Sequence, residues 1–342
     1  MKDSTPQDTR IAATEDRYRR VANQQMRRFE KETAVNAKDN PDALVDWLAS
    51  RRPEFMPKTW RQYKAAVAFT LEERGQRAAA SRLREMLSDG CKSKADTDRR
   101  QTSSMKKKNV TEHEESVITE HLMTRKTSLW ARPCLAFFKA GLVVGLRPSE
   151  WPSAKLFIDG SEDTFPAYPV LRVENGKATN GRAHGHYRHL ILDTLSKEDL
   201  LWVRMAISYA RADTPQGLMM PKGKAETFEE YYEGLRKEFA RTIDRLFRGK
   251  SARISLYSCR HQFSANIKFA KYSLAEIAAV MGHGTDDTAS AHYGRKRFGR
   301  SRSGLPKPIQ EEVLRIRAVY EGRPEPKQDR TLSQEGSPSA PR

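Results

Sequence analysis

From Pro41 onward, apolar residues recur at the period of a helix. Leu44, Val45, Trp47 and Leu48 open one amphipathic helix, and Trp60, Tyr63, Val67 and Leu71 share one face of the next. The pattern predicts a small helical domain over residues 41–90. Ahead of it, residues 15–34 are helix formers with dense charge and few apolar positions, which predicts a surface helix or a basic arm within residues 1–40. Behind it, residues 91–109 are polar, basic and without period. They suit an interdomain linker, either a solvated tether or one that lies along a phosphate backbone.

Periodicity returns near Val110. Leu135, Phe138, Leu142 and Leu146 repeat at helical spacing until Pro148 interrupts. Residues 167–192 alternate as strands do in YPVLRVENG and HYRHLILD, and Asn-Gly pairs at 175 and 180 predict a β-hairpin between them. Phe228, Tyr232, Leu235, Phe239, Ile243 and Leu246 predict a further helix. Leu274, Ile277 and Met281 predict another, behind a capping box of Ser273 and Glu276. Ile309, Val313, Ile316 and Tyr320 predict a short helix over 309–320, whose apolar stripe is covered by its own domain or by a neighbouring protomer. Residues 321–342 are rich in Pro, Ser and Gln and are expected to be disordered. The expected fold class is mainly α with a small antiparallel β-sheet, a helical domain being followed by a mixed α/β domain over 110–320.

Charge narrows the functions open to such a chain. The 342 residues hold 62 Lys and Arg against 44 Asp and Glu, a net charge of +18. That balance is the footprint of a nucleic-acid binder, although anionic membranes or ribosomes would attract it too. The most apolar run, LAFFKAGLVVGL, is too short to span a bilayer and carries Lys139, and the first residues lack a signal core, so a soluble cytoplasmic protein with no membrane partner is expected. Cys91, Cys134 and Cys259 are scattered without paired spacing, against both a disulfide framework and a zinc ribbon. His184, His186 and His189 in HGHYRH lack a companion carboxylate or cysteine cluster, so no metal is expected, and with no Walker-type glycine loop no nucleotide cofactor is expected either.

Tyr293 stands in the polar run MGHGTDDTASAHYGRKRFGR, where packing gives it little to do. Phosphodiester chemistry without a metal needs a nucleophile, cations for the non-bridging oxygens and an acid for the departing 5′ oxygen. Arginine suits the oxygens, being planar, bidentate and charged at any working pH. Arg147 in GLRPSEW and Arg260 in YSCRHQFSANI stand apart from the other basic residues because they lie in apolar helical contexts.

These segments resemble, in order and spacing, the motifs of the tyrosine recombinases or phage-type integrases. GLRPSEW is similar to the first arginine box, YSCRHQFSANI to the second, and MGHGTDDTASAHYGR to the Gly-His box running into the nucleophile. The resemblance covers about residues 41–320. It implies that the helical domain is a core-binding module and that residues 110–320 form the catalytic domain. Arg147 and Arg260 would clamp the scissile phosphate, His283 would donate to it or handle protons, and Tyr293 would form a 3′-phosphotyrosine. Lys177, in the hairpin, would be the general acid. Glu150 would orient an arginine or histidine, and His261 would be a buried structural hydrogen-bonder. Tyr257 departs from the pattern: it stands where the family commonly has His or Lys, and can donate to a phosphate oxygen but carries no charge. Implied partners are double-stranded DNA, a homotetramer on that DNA and, as an option, an accessory DNA-bending protein. Two rivals stay open, a binding-only protein with the same fold and a type IB topoisomerase.

Overall fold

In the computed structural model the described residues are 12–92, 107–158, 168–176, 183–249, 253–287 and 294–319. Lys177, Tyr293, most of the expected linker and the whole expected tail lie outside them. The chain divides into two compact units, residues 1–106 and 107–342.

The first unit contains α1 (Ala12–Thr33), α2 (Pro41–Ser50), α3 (Pro57–Glu73) and α4 (Arg77–Glu85). Proline opens α2 and α3, where its missing N–H costs nothing. Leu44, Leu48, Trp60, Val67, Leu71 and Leu83 bury together, and the Trp60 indole donates to the Leu87 carbonyl at 3.1 Å. Of the expected surface helix or arm, residues 12–33 form a helix, and one face of it is buried. Ala22, Met26 and Phe29 of α1 belong to the same core, and α1 packs along α3. These three positions form a narrow stripe at helical spacing, hidden in the sequence by surrounding charge. That charge is itself employed, since Arg19 donates to Glu73 of α3 at 2.6 Å.

The second unit opens with α5 (Glu112–Thr124), whose start is closed by a Thr111–Glu114 capping box, and α6 (Ala131–Val144). A 3-10 turn (Pro148–Glu150) and β1 (Lys155–Phe157) follow, then β2 (Val170–Glu174), β3 (Tyr187–Ile191) and α7 (Lys197–Ala210). The short pair β4 (Met219–Met220) and β5 (Gly223–Lys224) precedes α8 (Phe228–Leu246), α9 (Leu256–Phe269) and α10 (Leu274–Met281). A second 3-10 turn (Lys296–Phe298), β6 (Lys307–Pro308) and α11 (Gln310–Leu314) complete the described elements. α6 is apolar on almost every face, and such a helix must lie inside. It does, with α7 and α9 packed on it.

β1, β2, β3 and β6 form an antiparallel sheet in that order, with Val170 opposite Ile191 and Glu174 opposite Tyr187. The fold is thus mainly α with a small antiparallel sheet, and the strands expected within 167–192 pair as a hairpin. The capping box of Ser273 and Glu276 closes the start of α10. The final helix is shorter than the expected 309–320. α11 ends at Leu314, because Arg317 leaves helical geometry to bridge to Thr285.

Candidate active site

Two turns and one helix bring the motif residues together. α6 ends at Gly145 in the left-handed region, φ +60°, where any side chain would collide with the Phe263 ring. The reversal sends Arg147 out at the start of the 3-10 turn. α10 ends likewise at Gly282, φ +68°, where a Cβ would lie 2.5 Å from Asn175 Oδ1 and 2.7 Å from Arg188 Nη1. His283 comes next. Arg260, on the buried face of α9, joins the two turns: Nη1 donates to the Gly145 carbonyl and Nη2 donates to the Met281 carbonyl at 2.7 Å.

Glu150 is the hub. Fully buried, it accepts from the Arg147 backbone N–H at 2.7 Å and from Arg147 Nη1 at 2.6 Å. Arg188 donates Nη2 to Oε2 at 2.8 Å and Nη1 to Oε1 at 3.3 Å, and Arg260 Nη1 lies 3.8 Å from Oε2. Arg188, also fully buried, further donates Nε to the Val280 carbonyl at 3.0 Å and Nη1 to Asn175 Oδ1 at 2.6 Å. Asn175 in turn donates to the Gly185 carbonyl at 2.9 Å, so the base of the β2–β3 hairpin is keyed into the cluster. Sequence reasoning reached Glu150 but missed Arg188 and Asn175. A signal existed: on β3, Arg188 shares the alternating inward face of Leu190, and a charge on that face needs a buried partner.

Three guanidinium groups share one carboxylate, which leaves the cluster with a net charge of +2. Burial alone would push the Glu150 pKa up, but Arg188, Arg260 and Arg147 overcome it and hold the group well below the usual carboxylate range. His283 is driven the other way from its ordinary value, down to about 2, first by burial and then by Arg260, Arg147 and Arg188. It is therefore a neutral imidazole, able to donate one hydrogen bond. The sign of the linked pH effect follows. As pH falls from about 7 to about 5 the unfolded chain takes up a proton that folded His283 refuses, so stability must fall. His283→Asn should remove that part of the acid sensitivity, as read by denaturant unfolding at the two pH values. An unchanged difference between the two would show that His283 titrates normally.

Tyr257 lies in the first turn of α9, 37% exposed, with its ring edge-on to His261 at 5.4 Å. With Leu146 and Pro148 it lines a small cavity, so it neighbours the residues that flank Arg147. His261 is half-buried rather than buried, and its pKa is lowered to about 4, first by burial, then by Lys108, Arg260 and Lys268. The histidines of HGHYRH do not converge: His186 faces Glu174 at 3.5 Å, whereas His184 and His189 face Glu312. Among the described residues no group of three His, Cys, Asp or Glu could hold a metal ion.

Tyr293 and Lys177 lie outside the described residues, but the residues next to them in sequence do not. Gly176 lies against Ser149 and Glu150, a Cβ on it standing 3.0 Å from Ser149 Oγ. Gly294 lies against α9, where a Cβ would strike the His261 carbonyl, and its own carbonyl accepts from Lys268 Nζ at 3.1 Å. These two glycines therefore meet elements that carry Glu150 and Arg260.

No family model matches the chain. No curated protein matches it either. Solved structures to which it is similar include a XerA recombinase, at 12% identity over 90% of both chains with a TM-score of 0.34. Another is the Tn1549 transposon integrase bound to transposon right-end DNA, at 13% identity over 86% of this chain and 91% of that one, TM-score 0.47. The same integrase bound to circular-intermediate DNA gives a TM-score of 0.44. None of these scores reaches 0.5, and what the site can do is decided by its own residues. Among the described residues, no helix is long and apolar enough to cross a membrane.

Proposed function

We propose that the chain is a tyrosine recombinase, a site-specific integrase of a mobile element that acts on double-stranded DNA in the cytoplasm. The observation that carries this reading is the buried cluster of Arg147, Arg188 and Arg260 around Glu150, with its net charge of +2. A buried surplus of positive charge beside a neutral donor suits an anion that becomes more negative as it reacts. A phosphodiester is monoanionic, and the phosphorane formed on attack by a phenolate is dianionic.

Tyr293 Oη attacks phosphorus and the bond to O5′ breaks, leaving a 3′-phosphotyrosine and a free 5′-hydroxyl. Arg147 and Arg260 donate to the non-bridging oxygens, positioned by Glu150. His283 donates as a neutral imidazole. Lys177 supplies the proton for O5′. The phosphotyrosine keeps the energy of the cleaved bond, so attack by a 5′-hydroxyl rejoins the strand without ATP. Pairs of strands are exchanged within a homotetramer on DNA, with or without an accessory DNA-bending protein.

A second reading, a binding-only protein of the same fold, is favoured by the uncharged Tyr257. A nicked suicide substrate bearing the ends of the element separates the two. The short fragment carrying the new 5′-hydroxyl diffuses away, so the recombinase should leave a protease-sensitive protein–DNA band on a denaturing gel. Salt-sensitive DNA binding with no such band on any site variant would leave only the second reading.

A further inference from the structure

Two of the HGHYRH histidines, His184 and His189, share a carboxylate partner. Glu312, on α11, is 5% exposed, and its carboxylate accepts from the His189 backbone N–H at 3.0 Å and lies 2.7 Å from His189 Nδ1. Its other oxygen lies 3.7 Å from Nε2 of His184, whose side chain is fully buried. Nδ1 of His184 stands 3.1 Å from the main-chain carbonyl of His283. A carbonyl only accepts, so this nitrogen carries the proton. From the C-terminal segment to the candidate site the contact runs from Glu312 to His184 at 3.7 Å, longer than a hydrogen bond, and then by a hydrogen bond from His184 to the His283 backbone at 3.1 Å.

The residues that follow Glu312 brace the same loop. Arg317 N–H donates to the Gly284 carbonyl at 3.2 Å, and Val319 N–H donates to Asp286 Oδ1 at 2.9 Å. Apolar burial does little to seat this segment, since Leu314 is 76% exposed and the buried residue of α11 is Glu312 itself. Burying a carboxylate is costly unless it is paired and hydrogen-bonded, which makes the histidine clasp the feature that decides whether α11 stays down.

We propose that Glu312 and His184 are positioning residues for His283, so that the segment 309–319 acts as a strap whose seating aims the imidazole. This rests on the recombinase reading above. His283 contributes through a hydrogen bond, and such bonds lose their effect when the donor is misplaced by an ångström.

Single-turnover adduct formation with the full chain on saturating suicide DNA tests the proposal. Glu312→Leu and His184→Leu should each slow adduct formation on the order of 10²-fold, with the DNA concentration for half-saturation unchanged. Glu312→Gln, which keeps an acceptor for His189 N–H, and His184→Asn, which keeps a donor for the His283 carbonyl, should recover much of the rate. The deciding readout is the background of His283→Asn. If the clasp acts through His283, Glu312→Leu slows that variant little further. An equal fold-loss in both backgrounds, a wild-type rate in Glu312→Leu, or parallel loss of DNA binding would each overturn the assignment. Absence of any adduct from the wild-type chain would instead overturn the recombinase reading beneath it.

Discussion

Tyr293→Phe should bind DNA as the native chain does and form no covalent adduct. The substitution removes one oxygen from a residue in a polar run and leaves the +18 net charge, and with it the phosphate contacts, untouched. The chemistry cannot tolerate it. A phenol has a pKa of about 10, so in the proposed reaction attack needs positive charge to favour the phenolate, which the arginine cluster, with Arg295 and Arg297 just downstream in sequence, would supply. Phenylalanine has no atom to attack with, and no other hydroxyl occupies the same place in the chain. The loss should be at least on the order of 10³-fold, the scale seen when a covalent nucleophile is deleted. Quantified adduct bands and a mobility-shift titration on the same DNA check both halves. A surviving adduct in the variant would move the nucleophile to another residue. Binding lost together with the adduct would make Tyr293 a contact or packing residue.

How far such chemistry can be read from sequence depends on how local its determinants are. Leu135, Phe138 and Leu142 announce α6 because a buried helix repeats its apolar positions within a few residues, and Gly282 with His283 marks a helix end by composition alone. The capping box at Ser273 is equally local. The buried face of α1 escaped because three apolar residues were scattered among charges, and packing on α3 is a long-range fact. Arg188 escaped for the same reason: its value lies in reaching Glu150, Asn175 and Val280, which are remote in sequence. Glu312 gave no sequence signal at all, since a glutamate in a short amphipathic helix is usually solvated. The spacing of His184, His186 and His189 was weighed as a metal motif and set aside, and only the pairing of β3 with β6 and the seating of α11 show that two of them face a carboxylate. What the sequence conveys well is the set proposed to react; what it hides is the set of buried partners around Arg147 and Arg260.

That hidden set should carry the largest stability effect in the second unit. Arg188→Met keeps the volume and apolar stem but strips Glu150 of the closest donor to Oε2 other than the Arg147 backbone, and deprives Val280 O and Asn175 Oδ1 of theirs. Removing one partner of a buried ion pair costs about 3–5 kcal/mol, because the remaining charge stays in a dry site without compensation. Arg147 and Arg260 keep Glu150 from being orphaned, which places the expected loss at the lower end of that range. Arg188→Lys should not rescue it, since a single ammonium cannot reach two Glu150 oxygens, an amide and a carbonyl in one plane. Arg188→Met with Glu150→Gln offers the control: Arg147 and Arg260 then lose the carboxylate they share in a buried site, and stability should fall below that of Arg188→Met alone. Activity should not recover, because Arg147 has then lost the carboxylate that accepts from both its backbone and its guanidinium. Denaturant unfolding of the three variants checks the first part and adduct formation the second. A loss below about 1 kcal/mol in Arg188→Met would mean the pair is solvated in practice and worth no more than a surface bridge, and the cluster would then be a set of independent cations rather than one preorganised site.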